Sequence, residues 1–563
     1  MLKRGRFVVA LVVLCVGAAP AVAHAAEALV NTGSPPSPFP QNKQNEPTVA
    51  VDPANPSVLA AGSNDEIDEG PCVGGDCPFV QGVGNSGIYF SFDGGASWTQ
   101  PTYSGWSDRT GTPGVGPIGT LPHYYENALV SDGDPVTYFG PRPDSSGHFS
   151  WSNGSRLYYS NLTSNFATER KDQTFKGFEA IAVSHADNPT SAAAGDAGAW
   201  SDPAIVTERR QSATTFSDKE ALAVDNAASS PRFGTAYVCY TQFKSQQDTG
   251  PEKIAVSHST DGGDNWSRPT TLSAAFDNPQ HTGRQGCAIR TDSNGTLYAV
   301  WEDSHQKQSI FKMARSTDGG VSFEKPRTIA NVTDVGAFDG VRSISFDGIA
   351  GARTSSFPSL DIANGAPTGA GATDKLALGW SDGSAGLNQE HALVQLSSNA
   401  GTSWTSPVQV EESGDRPDFA FIGLSPNGND LYVVYDGFSD PFRNDTTSTR
   451  QFVGVTRHAD VSGTTLGGLG TLDRGAVGDG RASSSNGLID EFIGDYNTVA
   501  ATNAGAVSVF NDARDAADCP LIDVFRQATV DGTAGSPPAP GADCLPTFGN
   551  TDIWSAAVSD PTP

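Results

Sequence analysis

The sequence has few basic residues and no basic stretch in its interior. Its 563 residues include 35 Lys and Arg against 63 Asp and Glu, which gives a formal net charge of −28. Because phosphate backbones and anionic membrane surfaces are bound through clustered Lys and Arg, nucleic acid and such membranes are excluded as partners. The acidity itself favours no specific ligand, since a large net charge keeps a protein soluble. We therefore expect a monomer.

The common catalytic motifs are also missing. There is no Gly-rich P-loop, no HExxH motif and no serine nucleophile elbow. No heptad pattern or long linker divides the chain, and no convincing amphipathic helix is present, so an all-β chain is expected. These absences exclude P-loop nucleotide hydrolysis, zincin chemistry and the chemistry of α/β-hydrolases.

Only the first residues contain a long apolar run. Three basic residues precede the apolar segment 7–19, and a small-residue cleavage signal ends at Ala25. Residues 1–25 are therefore predicted to be a signal peptide that is cleaved near Ala25, and residues 26–563 a single secreted domain. Because the apolar run is too short to span a bilayer comfortably, we expect no membrane insertion.

Cysteines are scarce but even in number once the signal peptide is removed. Cys15 leaves with the signal, and six cysteines remain for an oxidising compartment. Six cysteines allow fifteen pairings. Proximity along the chain suggests Cys72–Cys77, Cys239–Cys287 and Cys519–Cys544. A zinc site is less favoured, because no second Cys pair or His cluster accompanies the first pair.

One turn recurs between apolar segments. Strong copies of the pattern S-x-D-G-G-x-x-W occupy residues 91–98, 259–266 and 316–323, and a weaker copy occupies 397–404. Its glycines permit the positive φ of tight hairpin turns, its Asp accepts backbone hydrogen bonds, and its aromatic ring buries a large area. The turns lack the dense oxygen ligands that calcium needs. We therefore expect no cofactor, with calcium as the alternative.

These turns resemble the Asp-box, or BNR repeat, of sialidases and related secreted β-propellers. A polar leader precedes each of seven strands, and these leader segments are residues 45–47, 134–135, 218–220, 284–286, 356–358, 416–418 and 492–496. Repetition on this scale predicts a single all-β propeller of six or seven four-stranded blades. Sialidases have six blades, whereas the leader segments favour seven. Residues 28–30 are expected to close the ring by pairing with the last blade.

The leader segments are the candidate site. In propellers the innermost strands face a central channel, so we expect the leader segments to form one polar mouth of it, where a ligand would bind. A glycosidase needs two carboxyl groups, and the candidates are Glu220 and Asp134 as the acid/base pair. Tyr496 with Asp495 is the candidate nucleophile or orienting group. The substrate-binding candidates are Arg284, Glu46, Arg416 and Arg353.

The resemblance implies a Tyr nucleophile activated by a Glu, together with three arginines that bind the carboxylate of the substrate. One family feature is missing, since sialidases carry Arg-Ile-Pro in the first blade where this chain has Asn45-Glu46-Pro47. The change removes a bidentate contact to a substrate carboxylate. Two functions stay open: a secreted sialidase-like glycoside hydrolase acting on extracellular glycans or polysaccharide, and a non-catalytic propeller that binds glycan or protein at this mouth.

Overall fold

Seven antiparallel sheets surround one axis. The computed structural model describes residues 26–32, 34–75, 77–207, 212–244, 252–273, 284–305 and 308–562. The predicted signal peptide, residues 1–25, lies outside these ranges. Within them the innermost strand of each sheet contacts the innermost strand of the next, and the last contacts the first. The chain is therefore a seven-bladed β-propeller, as the leader segments predict.

Each blade runs from an innermost strand at the channel to an outer edge. Blade 1 contains Gln44–Val51, Leu59–Asp65 and Ser86–Ser91, and an isolated bridge from Phe90 to Thr99 extends its outer edge. Blade 2 contains Val136–Pro143, Phe149–Asn165, Ala180–Ala186 and Ala204–Ile205, with Leu129–Ser131 also paired to the second strand. Blade 3 contains Phe216–Val224, Ala236–Phe243, Glu252–Ser259 and Thr270–Thr271. Blade 4 contains Arg284–Thr291, Leu297–His305, Gln308–Ser316 and Arg327–Val332.

The remaining blades follow the same plan. Blade 5 contains Ser359–Ile362, Leu376–Asp382, His391–Ser397 and Val408–Gln409. Blade 6 contains Arg416–Leu424, Asp430–Phe438, Gln451–Ser462 and Gly470–Arg474, with Thr465–Leu466 and Gly478–Asp479 paired to its third strand. Blade 7 contains Thr498–Thr502, Gly505–Asp512, Asp552–Ser559 and Ala26–Leu29. The N-terminal strand thus completes the last blade, with Leu29 opposite Trp554, and confirms the predicted closure of the ring.

Short elements connect or decorate the blades. Hairpins are formed by Tyr103–Ser107 with Gly114–Ile118 and by Ala337–Asp339 with Ser343–Ser345. The α-helices are Pro189–Ala193, Pro520–Val530 and Pro540–Asp543, and the 3-10 turns are Glu66–Asp68, Tyr125–Asn127, Arg170–Asp172, Ala197–Ala199 and Gly480–Ala482. No helix of the described residues is long and apolar enough to cross a membrane.

The helix Pro520–Val530 contradicts the expectation that the chain has no amphipathic helix. Its buried residues are Ile522, Asp523 and Arg526, so two of the three inward side chains are charged. Ile522 and the partly buried Phe525 form a narrow apolar face, which the charged inward residues obscure in the sequence. The helix begins directly after Cys519, whose disulfide to Cys544 is present together with Cys72–Cys77 and Cys239–Cys287. All three predicted cysteine pairs are confirmed.

The four Asp-box turns share one hydrogen-bond pattern. In the third copy Ser316 Oγ donates to Asp318 Oδ1 at 2.8 Å, and the backbone N–H of Ser322 donates to the same oxygen at 2.9 Å. Equivalent bonds form around Asp93, Asp261 and Asn399. The second glycine of each turn lies against the preceding blade, since a Cβ on Gly320 would meet the Tyr237 ring at 3.5 Å. The turns therefore join neighbouring blades.

A backbone irregularity marks the entrance to most innermost strands. In blades 1, 3, 4 and 6 the pairing register shifts there. One residue in each shifted segment has positive φ, and these are Glu46 (56°), Lys219 (53°), Gly286 (62°) and Phe419 (48°). Asp134 (51°) and Gly494 (87°) occupy the equivalent points of blades 2 and 7. Such bulges redirect side chains, and non-glycine residues at positive φ concentrate at functional sites.

Candidate functional site

The leader segments of blades 1, 2, 3 and 7 meet around Lys219. Its ammonium donates to Asp495 Oδ2 at 2.7 Å and to Asp134 Oδ2 at 3.3 Å, and lies 3.9 Å from Asp218 Oδ1. Burial lowers the pKa of Lys219, but the charges of these three acids together raise it well above its ordinary value. Lys219 therefore carries a fixed positive charge. We call the group formed by the following residues the central cluster: Glu46, Asp134, Asp218, Lys219, Glu220 and Asp495.

Asp495 is the most firmly ionised acid of the central cluster. Arg353 donates through Nε to Asp495 Oδ1 at 3.2 Å and through Nη2 to Oδ2 at 3.1 Å. Burial raises the pKa of Asp495, but Arg353 and Lys219 outweigh it and lower that pKa to about 2. The Arg353 guanidinium also lies 5.3 Å from the centre of the Phe492 ring at the mouth. Asp495 thus holds two cations in place rather than standing ready to attack a substrate.

Asp134 is an ionised carboxylate beside the protonated Glu46 and the partly protonated Asp218. Burial raises the pKa of Glu46, and the charges of Asp134 and Asp495 raise it further. Burial likewise raises the pKa of Asp218 to about 7. The pKa of Asp134 is lowered, because Lys219 and a hydrogen bond with Glu46 outweigh its burial. At neutral pH Glu46 therefore donates a proton to its hydrogen bond with Asp134.

Asn64 fixes the geometry of this carboxyl pair. Its Nδ2 donates to Glu46 Oε2 at 2.9 Å, and its Oδ1 accepts the backbone N–H of Asp134 at 2.8 Å. One amide thereby links the leader segments of blades 1 and 2. Both of those residues have positive φ, so a hydrogen-bonded partner offsets part of the strain in their backbones.

Burial is the largest influence on the pKa of Glu220. The residue is 8% exposed, and neither carboxyl oxygen accepts a hydrogen bond from another residue in the described ranges. Burial raises its pKa well above the ordinary value, and the charge of Asp134 raises it further. Glu220 is therefore a protonated carboxyl next to an ionised one.

Tyr496 lies among the same acids. Its hydroxyl donates to the carbonyl oxygen of Pro135 at 3.4 Å, and its ring is 6.3 Å from that of Phe421. Burial raises the pKa of Tyr496, and the charges of Asp134, Glu46 and Glu220 raise it further. Because these surroundings oppose a phenolate, the hydroxyl is suited to donate a hydrogen bond.

Two of the predicted arginines contact residues outside the central cluster. Arg416 is buried, donates through Nε and Nη2 to both oxygens of Glu390 at 2.9 and 3.0 Å, and packs 4.4 Å over the Phe346 ring. Arg284 Nη2 lies 3.8 Å from Asp303 Oδ1. The structure therefore brings together the predicted residues Glu46, Asp134, Glu220, Arg353, Asp495 and Tyr496, and places Arg284 and Arg416 in other ion pairs.

Sequence reasoning placed the segment 218–220 at the mouth without naming Asp218 as a site residue, and it missed Asn64. Strict strand alternation sends Lys219 to the opposite face from Asp218 and Glu220. The register shift between Asp218 and Ala221, with positive φ at Lys219, lets three consecutive residues enter one cluster. The run Asp218-Lys219-Glu220 was the available signal. Asn64 carried no sequence signal, because it lies near the end of an ordinary second strand.

A cavity lies at the other end of the channel. It has a volume of about 440 Å³ and is lined by the exits of the innermost strands, including Val51, Phe139, Ile362 and Ala500. Its walls are mainly apolar, and the Arg290–Asp361 ion pair at 3.2 Å crosses part of it. Size alone favours this end as a ligand site, but reactive groups with shifted pKa values gather at the leader mouth. We therefore take the leader mouth as the candidate functional site.

Seven blades around one axis, four turns of one hydrogen-bond pattern and a mouth built from leader segments define a seven-bladed β-propeller. No family model and no curated protein matches the chain. The solved structures similar to it include a Hadza microbial sialidase (11% identity, 80% of this chain and 73% of that one, TM-score 0.37). Others are a PL25 ulvan lyase (9%, 85% and 92%, 0.40) and the GH93 α-L-arabinofuranosidase of Fusarium graminearum (14%, 61% and 92%, 0.31). Similarity at this level identifies no substrate.

Proposed function

We propose that this protein is a secreted glycoside hydrolase that acts on an extracellular glycan at the leader mouth. The observation that carries the proposal is the opposite protonation of neighbouring carboxyl groups. The pKa of Glu220 is raised by burial, whereas that of Asp134 is lowered by Lys219. Environments that push the pKa values of two acids apart are what a general acid and its partner base require.

Each residue of the mouth then has a role. Glu220 is the general acid that protonates the glycosidic oxygen, and Asp134 is the base or nucleophile, kept ionised by Lys219. The Tyr496 hydroxyl donates a hydrogen bond that orients the sugar. Asp495 acts indirectly by fixing Lys219 and Arg353. Asp134, Lys219 and Tyr496 are partly exposed, so the substrate would meet them first.

The charges at the mouth support a neutral sugar over sialic acid. A substrate carboxylate is best bound by arginines that are free to donate two parallel hydrogen bonds. Here Arg353 is engaged with Asp495 and Arg416 with Glu390, and blade 1 carries Asn45 where sialidases carry arginine. The partly exposed rings of Phe421 and Phe492 supply apolar faces for a sugar ring.

A non-catalytic binding propeller is the second candidate. It is favoured by the shielding of the Glu220 carboxyl oxygens, which in this conformation offer no surface to a ligand. It is also favoured by the mutual ion pairing of Lys219, Asp134 and Asp495, which satisfies these groups without a substrate. On this alternative the mouth would bind a glycan or a protein and release it unchanged.

The deciding experiment measures sugar release from a panel of sialylated and unsialylated glycans, with and without calcium. Glu220→Gln and Asp134→Asn should each lower turnover by about 10²–10⁴-fold while binding is retained. The exposed Glu169 provides a matched control, since Glu169→Gln should leave turnover unchanged. Glycan retention without release would establish the binding propeller. Release that both variants retain in full would show that the acid/base assignment is wrong.

A further inference from the structure

A second cluster of ionisable residues lies at the end of blade 6 remote from the leader mouth. Strand pairing sets Asp430 opposite Asp460 and Tyr432 opposite His458. Asp560, which follows the strand Asp552–Ser559 of blade 7, completes the group. His458 Nε2 lies 3.3 Å from Asp430 Oδ1, 3.9 Å from Asp460 Oδ1 and 4.0 Å from Asp560 Oδ1. One side-chain nitrogen or oxygen from each of the four lies within 4.8 Å of the others.

The charge of this cluster is not balanced by its own members. Like charges placed directly opposite on neighbouring strands are destabilising, as Asp430 and Asp460 are here. A protonated His458 would offset one of three carboxylates. The nearby Lys375 ammonium donates to the carbonyl oxygen of Gly428 at 2.6 Å. His458 and Asp430 are 4% and 5% exposed, so water screens the repulsion poorly.

An independent observation comes from Tyr432. Its side chain is fully buried, and its hydroxyl has no hydrogen-bond partner among the described residues. Its ring lies 4.9 Å from the His458 ring, and beyond the effect of burial the charges of Asp430, Asp560 and Asp460 raise its pKa. A buried hydroxyl without a hydrogen-bond partner is costly, so a bound group beside it would be stabilising.

Asp560 is already oriented towards the cluster. The backbone N–H of Thr562 donates to Asp560 Oδ1 at 2.8 Å, and the Thr562 hydroxyl bonds to Asp460. The segment after the strand Asp552–Ser559 of blade 7 is thereby held against the third strand of blade 6. A ligand bound by these residues would link two neighbouring blades.

We propose that Asp430, His458, Asp460 and Asp560 bind one divalent transition-metal cation of the Zn²⁺ type. An imidazole nitrogen with three carboxylate oxygens matches the four-coordinate chemistry of zinc, whereas calcium takes oxygen ligands alone. Zn²⁺ also binds such sites more tightly than Mn²⁺. Metal–ligand distances of about 2.0–2.2 Å require the four ligand atoms, which lie within 4.8 Å of one another, to move closer together. A cation at this position would offset the carboxylate charges that surround the Tyr432 hydroxyl.

The test uses protein stripped with a chelator and dialysed against Zn²⁺, Mn²⁺ or Ca²⁺. Bound metal is measured by mass spectrometry, and Tm is measured over a range of Zn²⁺ concentrations. One Zn²⁺ per chain and a Tm that rises with Zn²⁺ are expected, because the cation binds the folded state. His458→Gln and Asp560→Asn should lose the metal. The exposed pair Asp144 and His148 supplies the control, so His148→Gln should retain it.

Three results would overturn the proposal: no bound metal, binding of Ca²⁺ alone, or unchanged Zn²⁺ stoichiometry in His458→Gln. If His458→Gln does not fold, removal of residues 560–563 deletes Asp560 while leaving every residue of blade 6 in place. That truncated protein should bind Zn²⁺ at least tenfold more weakly than the full chain. Affinity equal to that of the full chain would count against the site. The outcome is independent of glycan turnover at the leader mouth.

Discussion

The Asp-box turns and the leader segments both repeat around the ring, yet their acids behave in opposite ways. Hydrogen bonds from Ser322 and Ser316 lower the pKa of the partly exposed Asp318 to about 2. Burial and neighbouring acids raise the pKa values of Glu46 and Glu220. In the turns each acid accepts hydrogen bonds from residues of its own turn. In the leader segments the acids are packed against one another. The first arrangement keeps its acids ionised, and the second raises the pKa values of Glu46 and Glu220.

Side-chain variety separates the two repeats as well. Every Asp-box turn places Asp or Asn at the same point with the same bonds. The leader segments share a bulged backbone but carry Glu46, Lys219, Gly286 or Phe419 at its positive-φ position. A backbone that repeats with the same side chains indicates a structural role. A repeated backbone with differing side chains indicates a site assembled from several blades.

The largest predicted effect is a dependence of folding stability on pH through Asp218. The folded state raises the pKa of Asp218 from 3.8 to about 7, so it binds this proton more tightly than the unfolded chain does. Stability contributed by Asp218 is therefore full below about pH 4, falls as pH rises to about 7, and is constant above that. Urea unfolding across this range should show a fall that is smaller in Asp218→Asn. Identical pH profiles for the two proteins would contradict the raised pKa.

Lys219→Met should destabilise the protein by about 3–5 kcal/mol, because it leaves Asp134 and Asp495 buried without their shared cation. The midpoint of urea unfolding measures the loss. Lys325 is exposed just after the third Asp-box turn, and Lys325→Met should change stability by less than about 0.5 kcal/mol. Equal effects at both positions would mean that Lys219 is not the centre of the cluster.

Gly494→Ala should cost about 2–3 kcal/mol, because a strained backbone and a collision add together. The residue has φ of 87°, and an added Cβ would lie 2.5 Å from Glu46 Cγ and 2.9 Å from its backbone nitrogen. Gly532 separates strain from collision, since it has φ of 68° with no atom within 4 Å of an added Cβ. Gly532→Ala should cost about 1 kcal/mol from the left-handed backbone alone. Thermal unfolding compares the two, and an equal loss would exclude a close packing of blades 7 and 1 at the mouth.

Asp318→Ala should cost about 1 kcal/mol by removing the acceptor for Ser316 and Ser322. Asp318→Asn should cost less than about 0.5 kcal/mol, because Asn399 makes equivalent bonds in the fourth turn. Equilibrium unfolding of the two variants provides the comparison. If Asn proves as harmful as Ala, the charge of Asp318 has a role beyond its turn.

Much of the fold was predictable because its signals are local. The glycines and acids of residues 91–98 identify a turn, and each of the seven leader segments lies at the entrance of an innermost strand. The site was predictable only in part. Which acids touch Lys219 depends on bulges that break strand alternation, and on the long-range packing of blade 7 against blades 1 and 3. The ion pair of Arg416 with Glu390 had no local signal either.

The most direct measurement is the protonation state of individual carboxyl groups at neutral pH, read from carboxyl ¹³C NMR signals assigned by substitution. Glu220→Gln should remove a signal of a protonated carboxyl, and Asp318→Asn should remove one of an ionised carboxylate. That pair of results would establish that the two repeats hold their acids in opposite states. A signal from Glu220 in the ionised range would contradict both that difference and the assignment of Glu220 as the general acid.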